Sequence, residues 1–158
     1  MQLETTRFGQ IEVDDAAVIT FTQPIIGFQE YRRFVLLPGG EDSGLWWLQS
    51  TETGDLAFIV MDPRSVMPEY RLGLGRLELN ELAVQTESEL EVYTLVIVPA
   101  NAAEIRTNLK APILVNRAQR LAKQTILENS AYPVRFVLNQ AQAGAGSPQE
   151  VSHARTDP

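Results

Sequence analysis

Apolar residues recur along this chain in short β-branched or aromatic runs, and turn-forming residues stand between the runs: Gly9, the cluster Pro38, Gly39 and Gly40, Gly54, Pro63 with Pro68, and Pro99. Runs of this kind, alternating with a period of two and punctuated by glycine and proline, predict strands. They fall at residues 2–6, 10–13, 18–21, 34–37, 45–49, 56–61, 90–98, 105–109, 113–116, 123–127 and 134–138. Strands so numerous and so close predict a mostly β, single-domain fold, an antiparallel barrel-like sheet that is closed or partly open, because closure or stacking removes exposed edges. Helical signal is confined to two segments. Residues 77–85, LELNELAVQ, predict one or two short helical turns, although Leu77, Leu79, Leu82 and Ala83 fit neither period cleanly. Residues 116–124, NRAQRLAKQ, are rich in helix formers but too few to hold a helix without packing.

The strand at 45–49 carries Trp46 and Trp47 side by side. Successive side chains of a strand point to opposite faces, so Leu45 shares a face with Trp47, and Trp46 with Leu48. Both faces then need cover. In one reading a ring fills the barrel and its neighbour lies under a loop or under the 77–85 segment. In the other, one ring stays partly open as an anchor for a partner, since tryptophan is enriched at binding hot spots. The stretch NLKAPILVN, 108–116, poses the same alternative. Pro112 lacks a donor and suits an edge or a bulge, so the segment is either a protected edge or one open to a partner's backbone, with Asn108, Lys110 and Asn116 as exposed candidates.

The chain has 158 residues, 44% hydrophobic and 21% charged, the balance of one globular domain. Its 20 acidic against 13 basic residues give a net charge of −7, which opposes direct nucleic-acid binding and favours basic partners. The distribution says more than the total. From Glu78 to Glu104 there are six acids and no base, and from Arg106 to Lys123 five bases and no acid. Either the two segments pair with one another, or the acids, Glu87, Glu89 and Glu91 among them, face a basic partner. Cysteine is absent, and the start, MQLETTRFG, holds acidic Glu4 and no apolar core of the kind a signal peptide needs. No apolar run approaches a membrane span. A cytoplasmic protein is expected. Residues 139–158, rich in Ala, Gln, Gly and Ser, are expected to form a disordered tail after a domain at 1–138.

Candidate chemistry is sparse. The one histidine, His153, lies in that tail, so no triad or Cys/His pair can form in the core, and no catalytic residue, cofactor site or metal site is expected. Asp14–Asp15 and Glu41–Asp42 sit beside turns, where acids make local hydrogen bonds. GLGRLE at Gly73 lacks the third glycine of a dinucleotide fingerprint and opens no βαβ unit.

Taken in order, TRFGQIEV (6–13), ITF with GFQEYRRFVLL (19–37), WWLQST with LAFIVMDP (46–63), VYTLVIVP (92–99), TNLKAPILVN (107–116), KQTIL (123–127) and YPVRFVL (132–138) resemble the bacterial flagellar assembly factor family FliW. The resemblance covers residues 1–138. It departs from the family at Thr22, Pro24 and Ile26, where Pro, Gly and Pro are usual, and at Leu121 and Ala122, where a polar turn with glycine is usual.

The resemblance implies an all-β barrel-like domain with no enzymatic activity, monomeric when free. Members of the family bind flagellin in the cytoplasm and also bind CsrA, a small basic regulator that represses flagellin translation on its messenger RNA. The two complexes exclude one another, so flagellin export would release the protein to antagonise CsrA. Two other classes stay open on the residues alone: a β-barrel with a small ligand inside, which predicts an apolar cavity, and an enzyme using carboxylates only, which predicts a buried acid pair with shifted pKa values.

Overall fold

A computed structural model describes residues 1–40 and 43–138. The pair Glu41–Asp42 and the segment 139–158, with His153, lie outside the described residues. Strands β1 (Gln2–Thr5) and β2 (Gly9–Glu12) form a two-stranded antiparallel ribbon. Strands β3 (Ile19–Phe21), β4 (Arg33–Pro38), β5 (Leu45–Ser50), β6 (Ala57–Met61) and β7 (Glu91–Ile97) follow one another as antiparallel neighbours. After β8 (Arg106–Thr107) come β9 (Ile113–Asn116) and β10 (Leu121–Gln124), a hairpin. β9 pairs with β7, and β10 pairs with β3, closing seven strands into a barrel. The β3–β10 pair is parallel, a departure from the all-antiparallel expectation. β8 and β11 (Phe136–Val137) extend the sheet from the far half of β7.

Alternation explains how one set of strands builds several cores. Phe21, Phe34, Leu36, Leu48, Val60, Tyr93, Ile113, Val115 and Ala122 point inward and fill the barrel with side chains from all its strands. Their alternates point outward and are covered too. Val92 and Leu114 pack with Leu79, Leu82 and Leu127 beneath the α-helix α1 (Arg76–Glu81). Val35 packs with Leu3 and Val13 of the ribbon, and Met61 and Val96 pack with Ile105 and Leu138. Covering both faces is why β9 reads as a continuous apolar run, Ile113 to Val115. Gly54, in the β5–β6 turn, sits against the ribbon so closely that a Cβ would lie 2.0 Å from the Glu4 carbonyl oxygen.

Residues 116–124 form no helix. A turn with Arg120 in the left-handed region (φ 57°) leads into β10, because pairing with β3 and β9 outweighs the helix propensity of Leu121 and Ala122. The strand predicted at 123–127 therefore starts earlier, at Leu121. The strand predicted at 105–109 shrinks to Arg106–Thr107, since the Asn108 side chain accepts hydrogen bonds from the amides of Lys110 and Ala111 and turns the chain. Helical turns at 77–85 occur as α1, which starts one residue earlier and stops at Glu81.

Candidate functional site

Trp46 shares the inward face of β5 with Leu48 and packs, partly buried, against the barrel core. Trp47 faces outward, paired across strands with Leu37 and Ile59, yet is only 6% exposed. What covers it is the β1–β2 turn: the Phe8 ring meets it edge-on at 5.8 Å between centroids, and the Arg7 guanidinium carbon lies 4.2 Å from its ring centre. The buried apolar residues of the 77–85 segment pack in another cluster, with Val92 and Leu114. The ribbon is itself pinned by the Thr6 amide on the Gly54 carbonyl (3.0 Å) and by Thr6 Oγ1 on Asp55.

The 108–116 segment is not an open edge. β9 pairs on one side with β10 and on the other with β7, and the chain before it is held in the same way: the Thr125 amide donates to the Pro112 carbonyl (3.0 Å) and the Leu127 amide to the Lys110 carbonyl (2.8 Å). Pro112 is buried, and Asn116, expected to be exposed, is 4% exposed. Its Nδ2 donates to the Leu82 carbonyl at 2.7 Å, tying β9 to the end of α1, and its Oδ1 accepts from the Gln119 amide. Asn108 and Lys110 are half-buried; Lys110 Nζ donates to the Ser130 carbonyl at 3.1 Å.

The acid-only stretch is occupied largely with its own fold. Glu87 Oε2 accepts from the Leu74 amide at 2.7 Å. Glu89 Oε2 accepts from the amides of Thr86 and Gln85, closing a capping box, and these bonds hold its carboxyl below the ordinary carboxylate range. Glu91 Oε1 meets Arg117 Nη2 at 2.8 Å and accepts from the Tyr93 hydroxyl. Arg117 belongs to the base-only stretch, so these segments pair with one another here.

The sequence pattern did not single out the face where α1 crosses β10. Lys123 is buried, with Nζ donating to Glu81 Oε1 at 2.9 Å and 3.6 Å from Glu78 Oε2. Glu81 Oε2 also accepts from Thr22 Oγ1 and Gln23 Nε2, and Thr125 Oγ1 donates to Glu78. Burial raises the Glu81 carboxyl, but bonds from Lys123, Thr22 and Gln23 outweigh it and leave the group below its ordinary value. A carboxylate held ionised by an ammonium is the reverse of a proton-donating acid pair. Gln124 completes the cluster, accepting from the Ile26 amide at 3.0 Å and donating to the Ala111 carbonyl at 3.1 Å. Exposed apolar residues adjoin these polar groups: Leu77 (85% exposed) next to Glu78, Ile126 (49%) next to Thr125, and Ile26 (60%), whose amide meets Gln124. A groove of about 730 Å³ runs alongside, between residues 71–78 and 126–132, lined by Glu78, Ile126 and Glu128. The signal for this face was KQT: three successive polar residues in a predicted strand, which alternation alone cannot keep on one wet side.

Among the described residues no group of His, Cys, Asp or Glu side chains is assembled that could hold a metal ion. The model of the FliW protein family matches residues 2–138. The flagellar assembly factor FliW of Ruminiclostridium cellulolyticum is 35% identical over 144 residues, covering 90% of this chain and 97% of that protein. That of Desulfitobacterium hafniense is 36% identical over 149 residues, covering 94% and 98%. A crystal structure of the flagellar assembly factor FliW is similar with a TM-score of 0.80 at 33% identity, over 87% of this chain and 96% of that one. With the whole barrel inside these matches, the chain belongs to the FliW family.

Proposed function

We propose that this chain is a non-enzymatic, cytoplasmic flagellar assembly factor that binds flagellin and antagonises the translational regulator CsrA by exchanging one partner for the other. What supports this most is membership of the FliW family across residues 2–138, whose relatives are named flagellar assembly factors. The packing agrees with it: side chains from every barrel strand cluster together in the interior, which suits a protein that works through its outer surface. Within the α1–β10 cluster Lys123 holds the Glu81 carboxyl ionised, which is not the state of a proton-donating acid. A net charge of −7 favours a basic partner by long-range attraction.

The test is direct binding. With the full chain immobilised, purified CsrA and purified unpolymerised flagellin, passed separately, should each be retained. Retention of neither overturns the proposal.

A further inference from the structure

We infer that the outward face of α1 and β10 docks a basic, amphipathic segment of a protein partner, seating its apolar side chains on Leu77 and Ile126 and directing a Lys or Arg side chain to Glu78 and Glu128. Of the partners proposed above CsrA is the basic one, so the assignment rests on that reading.

Three observations carry it. The first is apolar exposure gathered on connected segments. Leu77 precedes Glu78, whose carboxylate is bonded to Thr125; Ile126 follows Thr125; and Ile26 is joined to β10 through the Gln124 side chain. A leucine 85% exposed on a six-residue helix contributes almost nothing to folding, and apolar side chains collected at a surface mark an interaction site.

The second is the asymmetry of charge. The Lys123 ammonium is buried, 8% exposed, while the carboxylates it pairs with, Glu78 and Glu81, are 31% and 28% exposed. What this cluster presents to solvent is therefore carboxylate, and Glu78 Oε1 accepts no hydrogen bond among the described residues. Nearby Arg76 donates to the Gln85 carbonyl, and Arg32 to the carbonyls of Phe21 and Thr22, while Arg71 stands at the groove's lining.

The third is the composition of the groove. Ile126 shares its lining with the carboxylate residues Glu78 and Glu128, two acids against one cation, Arg71. A Lys or Arg side chain suits that lining, its methylene stem against the isoleucine and its charged head toward the acids.

The experiment measures the dissociation constants of purified CsrA and of unpolymerised flagellin for the full chain and for Leu77→Ala/Ile126→Ala and Leu77→Lys/Ile126→Lys, with thermal unfolding confirming that each variant folds. Exposed positions make intact folding the expected result. The alanine pair should weaken CsrA at least about threefold and the lysine pair at least about tenfold, since the latter adds repulsion to lost contact. Equal affinities in all three proteins overturn the surface while leaving partner exchange standing. Equal losses in the two variants, or a loss confined to flagellin, overturn the basic occupant. If the wild-type chain binds neither protein, the functional reading falls and this inference with it.

Discussion

Arg117 Nη2 lies 2.8 Å from Glu91 Oε1, and that contact joins the chain's acid-only stretch to its base-only stretch. Both side chains are more than two-fifths exposed, at 47% and 42%, so solvent screens the pair and its worth is about 0.2–1 kcal/mol. Replacing Glu91 by glutamine should lower stability by no more than that and leave the association rate of CsrA at low salt unchanged. Urea unfolding and stopped-flow association across ionic strength check both. A marked slowing at low salt would show that Glu91 steers a partner as well.

Trp47 owes its cover to two residues of the β1–β2 turn. Removing the Phe8 ring should therefore expose it: Phe8→Ala loses an edge-to-face pair worth about 0.5–1.5 kcal/mol beyond area burial. Its emission should shift to longer wavelength, while Trp46, inside the barrel, should not respond. The variants Phe8→Ala/Trp46→Phe and Phe8→Ala/Trp47→Phe separate the two signals. A shift that survives in the latter would mean that the ribbon supports the barrel itself.

Alkaline stability should depend on Tyr93. Burial and then the hydrogen bond to Glu91 push its hydroxyl up to about 12, against about 10 for an unfolded phenol. Because the folded value is the higher one, the neutral phenol stabilises the fold fully below about pH 10, and that contribution is lost as the pH rises through about 12. Tyr70 acts in the same direction, its hydroxyl raised by burial and donating to the Leu109 carbonyl at 2.6 Å. Thermal midpoints measured from pH 8 upward should fall less steeply in Tyr93→Phe than in the wild type. Parallel curves would contradict the assignment.

The strands are legible because short apolar runs stand between turn residues, and the two-residue period then divides each run between two faces. Val35 and Leu36 read as facing opposite sides, and they do, one under the ribbon and one inside the barrel. What local pattern could not give is pairing between distant residues. Leu121 and Ala122 carry helix propensity, and only their partners Thr20 and Phe21, far back in the chain, make them a strand. The burial of Lys123 is equally invisible to local pattern: Glu81, which neutralises it, stands 42 residues away. Asn116, an exposed candidate if 108–116 is an open edge, is instead buried, its amide satisfying the Leu82 carbonyl at the end of α1. The tryptophans were half legible. That both faces of β5 needed cover followed from alternation; that a turn some forty residues upstream supplies it did not.

Partner exchange is a coupling between two binding events, and linkage makes it measurable in one system. The most direct measurement is the dissociation constant for CsrA across a series of flagellin concentrations, paired with that for flagellin across a series of CsrA concentrations. Each partner should raise the other's apparent constant by the same factor, because the coupling free energy is reciprocal. A stable complex of all three proteins, with neither affinity weakened, would contradict it.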